Sequence, residues 1–133
     1  MLQPLLICLA LIISLPAWAS DNRYLNKRVF FSQDKNKIIA VDARSARSDE
    51  FRLRLREDIL AVRETQVVII VATDQRLLAY SVRTGWTPFR LEVRETLRRI
   101  EAGDFSVFVD TSERIITFNG LTGAWFARRK SVH

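Results

Sequence analysis

Histidine and cysteine are almost absent from this sequence. The 133 residues contain one of each, Cys8 and His133. His133 stands in a terminal tail, where a structured site is not expected. A Ser-His-Asp triad and a histidine-built metal centre are therefore excluded. Cys8 lies within the first twenty residues, so the remainder has no disulfide to rely on. Charge is missing too: Met1 to Ser20 carries no Asp, Glu, Lys or Arg. No carboxylate pair stands out as a catalytic dyad, because the acids are scattered among arginines. The chain is not expected to be an enzyme, and it shows no cofactor motif.

The uncharged opening has an apolar run from Leu5 to Leu15 that ends at Pro16, followed by Ala17-Trp18-Ala19. A run shorter than a bilayer span, closed by a small-x-small triplet, predicts a secretory signal peptide over residues 1–19, cleaved between Ala19 and Ser20. An uncleaved anchor is the other reading. The expected location is the periplasm or the secreted fraction, with no membrane attachment after cleavage. All the charge then lies in residues 20–133, at net +6, and 17 of the 21 basic side chains are Arg. That balance suits anionic partners such as acidic glycans, or simply a solvated surface. No nucleic-acid partner is expected.

Residues 20–133 read as an internal repeat. Asp74 to Gly85 matches Ser112 to Gly123 at an offset of 38, and Phe51 to Glu57 matches Phe89 to Glu95 at the same offset. A weaker first copy runs from Lys35 to Ala46. Three units follow, approximately 20–57, 58–95 and 96–133. Each opens with a solid apolar run, Val29–Phe31, Val67–Val71 or Phe105–Val109, which predicts an interior strand. A polar turn and a second strand come next, Leu77 to Val82 or Ile115 to Asn119, and together these make a hairpin. The Thr84-Gly85 and Thr122-Gly123 pairs turn the chain again.

The rest of the unit is ambiguous. Phe51, Leu53 and Leu55 alternate with arginines, as Phe89, Leu91 and Val93 alternate with Arg90, Glu92 and Arg94, which predicts a strand. A further strand from Leu97 to Glu101 would complete four. Phe89, Val93, Leu97 and Ile100 also fall on one helical stripe that Pro88 could start. The expected fold is all-β, with about three four-stranded, propeller-like blades; the alternative is α+β, built from strand–strand–helix repeats.

The turn regions are similar to a known repeat. Ala79-x-Ser81-x-x-Thr84-Gly85-Trp86, Thr117-x-Asn119-x-x-Thr122-Gly123-Ala124-Trp125 and Ala40-x-Asp42-x-x-Ser45-Ala46 resemble the blades of quinoprotein-like (PQQ-like) β-propellers. The resemblance implies a blade fold in which Trp86 and Trp125 pack on the neighbouring blade. It implies no cofactor or metal, because no matching ligand residues are present.

Three such units cannot cover their own end faces. A second copy joining into a six-bladed ring, or a protein partner, is expected to complete the array. The function expected is a non-enzymatic binding or scaffold module acting through protein–protein interaction; the alternative is a binder of glycans or anionic polymers. Lys37, Arg76 and Arg114 occupy equivalent positions and could grip anionic groups as a row, with Trp86 and Trp125 stacking on sugars. The same arginines could instead bridge acids of an adjacent unit, and the Trp side chains could belong to the core between blades.

Overall fold

The computed structural model describes residues 27–131; the expected signal peptide and its cleavage point lie outside them. Every regular element described is a strand, and the strands form three antiparallel sheets. The first sheet holds β1 (Val29–Asp34), β2 (Lys37–Asp42) and β3 (Arg47–Arg52). The second holds β4 (Ile59–Glu64), β5 (Val68–Thr73), β6 (Arg76–Ser81) and β7 (Gly85–Arg90). The third holds β8 (Leu97–Ala102), β9 (Ser106–Thr111), β10 (Arg114–Asn119) and β11 (Ala124–Arg129). Each sheet is a simple meander in chain order. The fold is all-β and built from blade-like repeats; no strand–strand–helix unit occurs among the described residues.

Equivalent strands of adjacent sheets lie against each other: β1 with β5, β5 with β9, β3 with β7 and β4 with β8. The second sheet is therefore the filling of a sandwich. Its strands β5 and β6 are buried at every position, as a strand covered on both faces must be. One face, with Ile69, Val71, Leu78 and Tyr80, meets Val29, Ile38 and Ala40 of the first sheet. The other, with Val68, Ile70, Leu77 and Ala79, meets Val107, Val109, Ile116 and Phe118 of the third.

Two local expectations are corrected. The alternating segments Phe51–Arg56 and Phe89–Arg94 are not strands along their length. The last strand of each of the first two sheets begins earlier, straight after the turn, and ends at Arg52 or Arg90. Beyond it the chain bends sharply: the Glu57 amide donates to the Arg54 carbonyl at 3.2 Å, and that of Glu95 to Glu92 at 3.0 Å. The alternation breaks there, with Leu53 and Leu91 buried and Leu55 and Val93 in water. In addition, Val29–Phe31 is not interior. Among the described residues β1 pairs only with β2, where β5 and β9 each have a second neighbour.

The turn residues do local hydrogen bonding. The side chains of Asp42, Ser81 and Asn119 accept from the amides of Arg44, Arg83 and Leu121, two residues on in each case. These Asx-type turns free the backbone to reverse. Gly85 and Gly123 then sit at φ of 75° and 72°, where a Cβ is strained, while Ala46 takes the same role in the first unit at 55°.

Candidate functional site

The repeated chemistry of this chain is a carboxylate–guanidinium–hydroxyl cluster that occurs twice. Thr73 ends β5, and its hydroxyl oxygen accepts the amides of Gln75 and Arg76 across the hairpin turn. The same hydroxyl donates to Glu57 Oε2 at 2.7 Å. Arg76 Nε donates to Glu57 Oε2 at 2.8 Å, and Arg76 Nη2 donates to Oε1 at 2.9 Å. The Arg54 amide is the second donor to Oε1, at 2.8 Å. The guanidinium lies 4.9 Å from the centre of the Phe51 ring, on the preceding sheet. Thirty-eight residues on, Thr111, Glu95, Arg114, the Glu92 amide and Phe89 repeat every contact.

Both carboxylates are sealed from water, with side chains 0% exposed. Burial alone would push their pKa up. For Glu57, the bonds from Arg76, the Arg54 amide and Thr73 outweigh burial and lower it to about 2. For Glu95, the bonds from Arg114, Thr111 and the Glu92 amide do the same, again to about 2. Each carboxylate thus accepts four hydrogen bonds, two of them from the arginine.

Arg76 and Arg114 each pair with an internal carboxylate instead of standing free as a row. The partner acid lies 19 residues upstream, in the loop that enters the same sheet. Lys37, at the equivalent place in the first sheet, has no such acid and makes a loose 3.7 Å contact with Glu50. Sequence reasoning treated Glu57 and Glu95 as scattered surface acids. The signal that marks them is that Glu57, Thr73 and Arg76 recur together as Glu95, Thr111 and Arg114.

Trp86 sits between the first and second sheets. Its ring lies 5.5 Å from that of Tyr80, and its Nε1 donates to the Asp49 carbonyl on β3 at 3.0 Å. Trp125 sits between the second and third sheets, 5.1 Å from Phe89 and 4.9 Å from Phe118. Its buried Nε1 has no acceptor among the described residues. Both indoles pack between sheets, Trp86 buried and Trp125 half-buried.

A depression of about 680 Å³ opens beside the β1 edge, lined by Lys27, Phe31, Glu64, Gln66, Gly103 and Asp104 among others. Lys27 and Glu64 pair across it at 2.6 Å. Glu64 Oε1 also accepts the Phe31 amide at 2.6 Å, so a side chain covers an edge group that a fourth strand would otherwise take. Among the described residues, no cluster of three or more His, Cys, Asp or Glu could hold a metal ion.

No family model matches the chain, and no curated protein does. Among solved structures, the crystal structure of the N-terminal domain of Nup159 is similar over 79% of this chain, with a TM-score of 0.41 and 10% identity. This chain spans 32% of that one.

Proposed function

We propose that the protein is an exported, non-enzymatic interaction module whose first sheet is the docking surface for a protein partner or a second copy. The observation that carries this reading is the contrast between the two end faces of the sandwich. On the outer face of the first sheet stand Phe30, Ile39 and Val41. In the second sheet the matching positions are Ile69, Leu78 and Tyr80, all buried against a neighbour. The first sheet therefore keeps apolar side chains at positions that are covered in the second, and among the described residues it has one strand fewer than the others.

The outer face of the third sheet is more mixed. Where the second sheet has Val68, Ala72, Ala79 and Phe89, the third has Ser106, Asp110, Thr117 and Arg128, while Phe108 stands where the second sheet has Ile70. Polar replacement on an outer face is how repeat arrays finish. Phe126 and Ile115 remain exposed there, but among charged and hydroxyl neighbours. A head-to-tail ring of two copies would have to bury this polar face, so an asymmetric array, capped at one end and open at the other, is the better reading. The anionic-polymer alternative loses its strongest contacts, because Arg76 and Arg114 are internally paired.

The test is light scattering on the purified protein, with Phe30→Glu plus Val41→Glu as the variant. Self-association or capture of a defined partner that this variant abolishes supports the reading. A monomer that captures nothing, or an association indifferent to the variant, overturns it.

A further inference from the structure

The two buried Glu–Arg clusters have an outward consequence that docking through the first sheet does not use. Each holds a tight turn between sheets, Arg54-Leu55-Arg56-Glu57 and Glu92-Val93-Arg94-Glu95. At the second inner position of each turn, an arginine is forced to positive φ, 64° at Arg56 and 72° at Arg94. Side chains other than glycine seldom adopt that conformation. The first inner position of each carries an aliphatic side chain almost wholly in water, Leu55 at 92% exposed and Val93 at 90%. Neither Arg56 nor Arg94 has an ion-pair partner among the described residues.

The two tips lie at the same end of the molecule. Leu53 donates its amide to Asn36 at the β1–β2 turn, and Leu91 donates to Gln75 at the β5–β6 turn. Arg54 reaches from the first tip to the Gln75 side chain at 3.3 Å. Leu60, also exposed, lines a shallow depression with Leu91, Thr96 and Leu97 beside the second tip. The result is a pair of rigid, convex knobs, each with a bare aliphatic side chain next to an unpaired arginine, on a protein of net charge +6.

We propose that this end of the molecule contacts an anionic lipid surface, with Leu55 and Val93 entering the interface and Arg56 and Arg94 meeting phosphate groups. The shape selects lipid over a protein partner. Protein interfaces present a contiguous, aromatic-rich core patch. Here the apolar groups are separated, aliphatic and convex, which suits a deformable interface where apolar side chains sink and arginines remain at headgroup level.

The experiment is co-sedimentation of the purified protein with phosphatidylcholine vesicles, with and without phosphatidylglycerol. Binding is expected only to the anionic vesicles and should weaken as salt rises. Two double variants are compared with the parent. Leu55→Ser with Val93→Ser removes the apolar tips. Arg56→Gly with Arg94→Gly removes the charges and should reduce partitioning by about thirtyfold, given the usual worth of two surface cations. The glycine pair also relieves the backbone strain, so its melting temperature should hold or rise, which separates lost binding from lost folding. No binding to anionic vesicles overturns the proposal. So does equal binding to neutral vesicles, or binding that survives either double variant. Because Phe30 and Val41 lie on a different surface, these outcomes are independent of docking through the first sheet.

Discussion

Glu57 and Arg76 meet through two parallel hydrogen bonds, 2.8 and 2.9 Å long, in a site closed to water. Glu57 belongs to the loop that leaves the first sheet, and Arg76 to an interior strand of the second. Their pairing ties the path between sheets to the middle of the sandwich. Glu95 and Arg114 tie the second sheet to the third in the same way. Such a cluster specifies one arrangement of the chain, because any misplacement strands a charge in a dry site.

Glu57→Gln should therefore lower stability by about 3 kcal/mol, the scale for leaving a buried charge without its partner. Glu95→Gln should lower it by a similar amount, and the two effects should add, since the clusters share no residue. Urea unfolding of the single and double variants measures both statements.

Acid should unfold the protein through these same groups. Each carboxyl has an ordinary value of 4.5 and is held at about 2 in the fold. A depressed folded value means that the stabilising contribution is complete above pH 4.5 and disappears as pH falls towards 2. Asp42, lowered by its bonds from Arg28, Ser45 and the Arg44 amide against the cost of burial, acts in the same direction. Circular dichroism during acid titration should show loss of structure in that window. The double variant Glu57→Gln with Glu95→Gln should be less stable at neutral pH and flatter through the acid range.

The two indoles should respond differently to the same change. Trp86→Phe deletes a hydrogen bond to Asp49, whereas Trp125→Phe deletes a buried N–H that has no acceptor. Both changes keep a ring in place. The Trp86 variant is expected to lose about 1 kcal/mol more than the Trp125 variant, the net worth of one hydrogen bond. Thermal melts of the pair suffice to compare them.

Backbone substitutions at the turns should act in opposite senses. Ala46→Gly places the residue suited to positive φ at a strained position and should raise stability by about 0.5 kcal/mol. Gly85→Ala should lower it by about 1–2 kcal/mol, because the new Cβ is strained at that φ and meets the Asp49 carboxylate. Equal and opposite shifts in denaturation midpoint are not expected; the Gly85 change should be the larger.

Some features were legible because they are local. The repeat, the hairpin turns after Val71 and Val109, and the Thr-Gly reversals depend on residues within a few positions of one another. The solid apolar run at Val67–Val71 announces burial on both faces without knowledge of the neighbour, whereas the similar run at Phe105–Val109 is covered on one face only. The Leu97 strand follows from the turn before Phe105. The alternating segments misled because period two states only that successive side chains point opposite ways. Where a strand stops depends on its pairing partner: Arg52 faces Lys37 and Arg90 faces Arg76, the first residues of β2 and β6, so pairing ends there while the alternation runs on.

The sequence by itself determined the repeat, its central hairpins and the turns that join them, since each rests on hydrophobic pattern and backbone preference within one stretch of chain; whether the remainder of the unit is strand or helix was decided by the fold. Tertiary structure alone decided which acid each arginine takes, which indole keeps a hydrogen bond, and which end face stays apolar. Those outcomes depend on residues 19 to 37 positions apart being brought together and dried, and a charge looks the same in sequence whether water or a buried partner will receive it.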